Sequence, residues 1–258
     1  MPREARQRSR TGIYHVMSRG ISQANIFLDD DDRIRYLNLL RRLQKEYGLM
    51  VHAYCLMSNH VHLLVSEGEE PIGESMRRIG VAYAAWFNGK HGRVGYVFQG
   101  RFHSEVVEDD GYFLTVLRYI LQNPVKAGLC QEIHGYPWSS HYEYAGGRGR
   151  VPGLVTTDLA RGIMGGPEKL LHFLRQAPPE QENVPNILEM VEVKRVADRE
   201  VQAYLQQLLP NWSPGQSLAS LERPERRRVL NALKQMPGVS IRQIARVTGL
   251  GKGIVERA

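Results

Sequence analysis

His60 and His62 stand two residues apart in the apolar run His60-Val61-His62-Leu63-Leu64-Val65. On a strand, residues i and i+2 point to the same face, so both imidazoles converge on one point. Such a pair fits either two hydrogen-bonded core histidines or part of a divalent-metal site, and the spacing alone does not decide between them. A second signal lies in Arg118-Tyr119-Ile120-Leu121-Gln122-Asn123-Pro124. Tyr119 and Asn123 are i and i+4 and share a helical face. A tyrosine hydroxyl is a covalent nucleophile toward phosphorus when it is positioned and its developing charge is stabilised. Asn123 offers a neutral oxygen that can join two histidines around Mg²⁺ or Mn²⁺. Such an ion polarises a phosphate oxygen and orients it for in-line attack. The plain alternative is that Tyr119 shares a core face with Phe113, Val116 and Leu117, and that Asn123 caps a helix before Pro124.

These residues need a frame. Residues 12–20, 49–56, 60–66 and 96–107 read as strands. Residues 34–46, 71–88 and 108–122 read as helices, the first opened by an aspartate between Asp29 and Asp32 and the last stopped by Asn123-Pro124. The order β-α-β-β-α-β-α predicts an α+β fold, an antiparallel sheet with helices on one face. The texture changes after residue 145. Gly146-Gly147-Arg148-Gly149-Arg150 is flexible and basic, Pro178 to Pro185 mark a second break, and the chain from about Ile187 reads as helical. The expected organisation is therefore a domain over 1–145, a linker with some helix over 146–186, and an all-α domain over 187–258.

The whole chain carries 258 residues and a net charge of +7. That balance favours a polyanionic partner, nucleic acid before an anionic membrane. Arg3, Arg6, Arg8 and Arg10 crowd one end, and Arg223, Arg226, Arg227 and Arg228 crowd a segment near the other. Cys55 and Cys130 are the only cysteines, too few for a disulfide framework or a four-cysteine zinc site, which fits a reducing cytoplasm. No apolar run reaches the length of a membrane span, and no apolar segment follows the basic N-terminus as in a secretory leader.

An ordered set of motifs adds to this reading. It runs Tyr14-His15-Val16, Ser18-Arg19-Gly20, Ile26-Phe27, then Met57-Ser58-Asn59-His60-Val61-His62-Leu63-Leu64. It continues with Phe98-Gln99-Gly100-Arg101-Phe102, Tyr119-Ile120, Asn123-Pro124-Val125 and Tyr136-Pro137-Trp138-Ser139-Ser140. The set resembles the REP-associated tyrosine transposases, within the single-tyrosine, His-hydrophobic-His family of insertion-sequence transposases. The resemblance implies a ferredoxin-like domain that binds single-stranded DNA near a hairpin or repeat, His60 and His62 as metal ligands, and Tyr119 as nucleophile. It places Asn123 where insertion-sequence relatives carry a glutamine ligand. The implied reaction is strand cleavage and rejoining through a 5′-phosphotyrosine link, by a monomer or a homodimer. Arg19 and Arg101, each beside a glycine, are expected to contact the DNA, with Lys126 a weaker candidate; His103 is a further candidate near the site but reads as a bystander, with no partner at metal-ligand spacing. A DNA-binding protein that keeps the fold without recombination is the alternative. A replication-initiation nuclease or a zinc hydrolase fits less well, since the chain has neither a G-x-x-x-x-G-K-[ST] phosphate loop nor an obvious third histidine or carboxylate near the pair.

Near the C-terminus, Ser240-Ile241-Arg242-Gln243-Ile244-Ala245-Arg246-Val247-Thr248-Gly249-Leu250 resembles a helix-turn-helix. Ile244, Ala245 and Val247 are expected to pack inward, with Arg242, Arg246 and Lys252 toward duplex DNA. A three-helix bundle with a solvated basic face remains the alternative.

Overall fold

The chain is described here from a computed structural model, over residues 7–176, 197–236 and 239–257. Arg3, Arg6 and the expected break between Pro178 and Pro185 lie outside these described residues. Packing divides the chain into one unit over Met1–Val184 and a second over Pro185–Ala258.

In the first unit, β1 (Ile13–Arg19), β2 (Met50–Leu56), β3 (His60–Ser66) and β4 (His103–Val106) form a four-stranded sheet in the order β2-β3-β1-β4. All pairings are antiparallel, and the order is ferredoxin-like. The register sets Met17 opposite His62 and Arg19 opposite His60 on β1, with Cys55 opposite His62 on β2. Directly paired residues share a face, so the two faces separate cleanly. Tyr14, Val16, Tyr54, Leu56, Val61, Leu63 and Val65 face one core, whereas Ala53, Cys55 and Leu64 face the other.

Helices α1 (Asp30–Tyr47) and α2 (Ile72–Lys90) cover the first face together, through Leu37, Leu40, Ile79 and Tyr83. Asp29 caps α1 in a reciprocal box with Asp32, as the acidic run suggested. Helix α3 (Asp110–Lys126) covers the opposite face, so the helices of this sheet lie on both sides. Phe113, Val116, Leu117 and Ile120 of α3 are buried against Ala53, Cys55 and Leu64. Burial of each such side chain stabilises by about 1.5–3 kcal/mol.

Helix α3 does not stop at Asn123. It runs through Pro124 to Lys126, and the chain closes with Ala127 N–H donating to Asn123 O at 2.9 Å. Proline removes a single hydrogen bond here, and less than a turn of helix follows it, so the cost stays local. The strand expected over 96–107 is also shorter: Phe98 makes one isolated bridge to Gly20, and regular pairing begins at His103.

After the short α4 (His141–Tyr144), helices α5 (Asp158–Met164) and α6 (Pro167–Arg175) place Ala160, Leu170 and Leu174 into the α3 core. The segment expected as a linker thus contributes packing to the first unit. Tyr136 to Ser140 cover the edge of β2: Ser140 N donates to Tyr54 O at 3.0 Å, and Leu56 N donates to Trp138 O at 2.9 Å. An edge strand is paired in this way without a further strand.

The second unit contains α7 (Asp198–Leu208), α8 (Arg223–Gln235), α9 (Ile241–Thr248) and α10 (Lys252–Arg257), around Val201, Leu205, Leu230, Leu233 and Ile244. Ser240 accepts from Gln243 N and caps α9, and Gly249 closes that helix at φ 65°.

Candidate active site

The site lies on the α3 face of the sheet. His60 opens β3 directly after the Met57-Ser58-Asn59 connection, and that connection is held in place by backbone. Ile26 and Phe27 both donate to Ser58 O, at 2.8 and 3.0 Å, and Gly20 donates to Asn59 O at 2.8 Å. Gly20 has no room for a side chain, because a Cβ there would stand 1.9 Å from Ala24 O. Its requirement is close packing of the 20–24 turn. Gly100, beside Arg101, instead has open space around it and φ +73°.

Asn59 then orients His60. Its Nδ2 donates to Gln23 O at 3.3 Å, which turns Oδ1 toward His60 Nδ1 at 2.7 Å. His60 Nδ1–H donates to that oxygen, and the lone pair is left on Nε2. His60 Nε2 and His62 Nε2 are both buried without a hydrogen-bond partner. The His60 and His62 ring centroids are 5.1 Å apart.

Tyr119 comes from α3 and sets its ring edge-on to His62 at 5.6 Å. Lys126, about two turns further along, holds its ammonium 5.0 Å from the Tyr119 ring centre. Asn123 is buried on the same helical face, and its side chain reaches His60. The structure therefore brings His60, His62, Tyr119 and Asn123 together from two distant segments.

Both histidines are neutral near pH 7. Burial pushes His60 down to about 4, with the Arg19 charge adding to the fall and the Asn123 contact opposing it. His62 lies well below its ordinary value, first from burial and then from His15 and His60 beside it. Neutral imidazoles with buried, unpartnered nitrogens fit a divalent cation, and an amide oxygen completes a mixed nitrogen and oxygen donor set.

Arg19 crosses from His60 on β1. Arg19 and Arg101 both line a cleft of about 490 Å³ with Tyr96, Phe98 and Phe102. His103 is exposed on the edge strand β4, opposite Met17. Arg242, Arg246 and Lys252 belong to the second unit. Arg246 makes two contacts to Asp198, at 2.7 and 2.9 Å, Lys252 pairs with Glu256 at 3.1 Å, and Arg242 is exposed. Ile244 and Val247 are buried, and Ala245 is partly so.

Among the described residues, Asp29, Asp32 and His91 also bring ligand-type atoms together. Lys90 occupies that corner, 2.7 Å from Asp29 and 3.2 Å from Asp32, so it is an ion-pair network joining the start of α1 to the end of α2.

Three residues next to the site escaped the sequence reading as site residues: Asn59, His15 and Glu105. His15 Nε2 stands 3.1 Å from His62 Nδ1, and His15 Nδ1 stands 3.8 Å from Glu105 Oε2. The available signal was a third histidine on an apolar strand, within Tyr14-His15-Val16.

Part of the chain is similar to known proteins. Residues 9–123 match the family described as "Transposase IS200 like". A curated Haemophilus influenzae protein described as a REP-associated tyrosine transposase is 27% identical over 125 residues, covering 42% of this chain and 69% of the relative. Among solved structures, a REP-associated tyrosine transposase bound to a REP hairpin matches 61% of this chain and 90% of its own, at 18% identity and a TM-score of 0.49. A protein from Deinococcus radiodurans described as a transposase matches 48% of this chain and 96% of its own, at 17% identity and a TM-score of 0.33. Residues 9–123 are thus similar to the IS200-like transposases, and part of the chain is similar to a REP-associated tyrosine transposase.

Proposed function

We propose that this protein is a sequence-specific single-stranded DNA endonuclease and strand transferase that works through a covalent 5′-phosphotyrosine at Tyr119. The observation that carries the reading is the meeting of Tyr119 and Asn123, one turn apart on α3, with two buried histidines whose Nε2 atoms have no partner. His60, His62 and Asn123 would hold Mg²⁺ or Mn²⁺. When bound, that ion supplies electrostatic stabilisation to the charge that develops on the phosphate.

The chain's own residues do the rest. The Tyr119 hydroxyl oxygen attacks the scissile phosphorus and loses its proton to solvent. The P–O3′ bond breaks, and the 3′ oxygen leaves and takes up a proton. The Lys126 ammonium stabilises the developing phenolate from beside the ring. A 3′-hydroxyl then attacks the same phosphorus, a new P–O3′ bond forms, and Tyr119 is released with its proton restored. One phosphodiester replaces another, so no nucleotide cofactor is consumed.

Arg19 and Arg101 would take the phosphate backbone or base edges along the cleft they line, with Tyr96, Phe98 and Phe102 as stacking surfaces. The DNA partner we infer is a hairpin or repeat in single-stranded form. In the second unit, Arg242, Arg246 and Lys252 would face duplex DNA. Arg223, Arg226, Arg227, Arg228 and Arg257 line one groove of that unit and would add to its basic surface. Such a protein would act in the cytoplasm, at the nucleoid.

The test is cleavage of a labelled hairpin oligonucleotide, drawn from sequence flanking the gene, in Mg²⁺ or Mn²⁺. Wild type should give a denaturation-resistant protein–DNA adduct that EDTA and Tyr119→Phe both abolish. Equal cutting by both proteins without an adduct would refute the tyrosine chemistry. Binding without cutting, by both, would favour a DNA-binding protein of the same fold.

A further inference from the structure

His15 is fully buried on β1, and both of its ring nitrogens have a counterpart. Its Nε2 is 3.1 Å from His62 Nδ1, with the two rings stacked at 5.4 Å. Its Nδ1 is 3.8 Å from Glu105 Oε2, and Glu105 is its direct partner on β4. That second distance is too long for a hydrogen bond. Yet His15 Nδ1 and Glu105 Oε2 are each buried atoms that lack a hydrogen-bond partner. Two orphaned atoms of opposite need therefore stand opposite each other, one short movement from bonding.

We propose that Glu105 and His15 form a positioning relay that holds His62 with its Nε2 lone pair toward the metal; this rests on the metal reading of His60 and His62 above. The proton assignment runs in one direction only. A His62 that binds an ion through Nε2 must carry its proton on Nδ1. That Nδ1–H donates to His15 Nε2, which must then be the acceptor. His15 in turn carries its proton on Nδ1, where the Glu105 carboxylate accepts it. The opposite chain of protons would turn a His62 Nε2–H toward the ion and would set a bare His15 nitrogen against a carboxylate. His60 has the matching device in Asn59 Oδ1, so each histidine of the pair has its far nitrogen assigned by a named neighbour. Outer partners of this kind fix ring orientation and raise ligand basicity.

Glu105 is the residue to change, because its side chain is 28% exposed and its loss leaves little cavity. The experiment uses the full chain carrying Tyr119→Phe, with Mn²⁺ binding followed by electron paramagnetic resonance of the free ion and thermal melting measured in EDTA. Glu105→Ala should weaken Mn²⁺ binding about 10- to 100-fold while leaving the melting temperature in place. Glu105→Gln keeps an acceptor oxygen and should lose markedly less. His62→Ala sets the floor. Unchanged Mn²⁺ affinity in Glu105→Ala, with or without a lower melting temperature, overturns the relay and leaves the metal site standing. If the parent and His62→Ala bind Mn²⁺ equally poorly, the metal reading falls and the relay falls with it.

Discussion

Gly20→Ala tests whether the architecture around the site transmits strain to His60. The backbone at Gly20 is ordinary, with φ −66° and ψ 145°, so conformation is not the obstacle. Space is: the new Cβ would meet Ala24 O at 1.9 Å and Ile26 Cγ2 at 3.0 Å. The Ala24 carbonyl must retreat by about 1 Å to reach contact distance, and overpacking of this kind costs about 1–3 kcal/mol. For a unit of this size that is a fall of roughly 4–8 °C in melting temperature at the middle of the range. The same turn carries Gln23 O, the acceptor that orients Asn59, and Gly20 N–H itself holds Asn59 O. Asn59 and then His60 must move with it, and a shift near 1 Å costs on the order of 100-fold in rate. Melting by differential scanning calorimetry and adduct formation well below the melting temperature would be measured together. Gly68→Ala is the matched control: its Cβ would stand 2.0 Å from Tyr47 O, at the far end of β3, so it should melt lower while keeping the cleavage rate of folded protein. If Gly20→Ala loses stability but cuts at the wild-type rate, the path from the turn through Asn59 to His60 is wrong. If it melts like wild type, the clash is absorbed and the packing argument itself fails.

Three further outcomes follow from the same structure. Leu117→Ala on α3, fully buried against the sheet, should cost about 2–5 kcal/mol, read by urea denaturation. His60 and His141 are both held at about 4, against an ordinary 6.5, chiefly by burial. The unfolded chain therefore takes up protons first, so their contribution is complete above about pH 7 and is lost as pH falls from 6.5 toward 4, by up to about 3 kcal/mol per group. In metal-free protein, His141→Gln should flatten that part of the stability-against-pH curve, and an unchanged slope would refute it. In the second unit, removing Arg223 and Arg257 together should reduce the salt dependence of duplex binding by about two units of log–log slope if both contact phosphate. Asp198→Ala should free Arg246 and strengthen binding, and fluorescence anisotropy over a salt series reads both.

The candidate site was legible in the sequence because its signals are local. The i, i+2 histidines on an apolar strand and the i, i+4 Tyr119 and Asn123 on a helix each declare a shared face from backbone periodicity alone. The aspartate cap of α1 and the serine cap of α9 were legible for the same reason, since a cap is made within three or four residues. Other features depended on long-range packing. Periodicity could not say that α3 lies on the opposite side of the sheet from α1 and α2, because an apolar stripe records burial and not the surface that buries it. It could not extend α3 through Pro124, where one lost hydrogen bond is tolerated near the helix end. It could not separate Arg246, held by Asp198, from an arginine presented to DNA, because the carboxylate comes from another helix. Nor could it assign His15, whose meaning arises only when antiparallel register lays β1 between β3 and β4. Spacing along the chain determined which side chains could act together, and the sheet register decided which neighbours hold them in the orientation that chemistry requires.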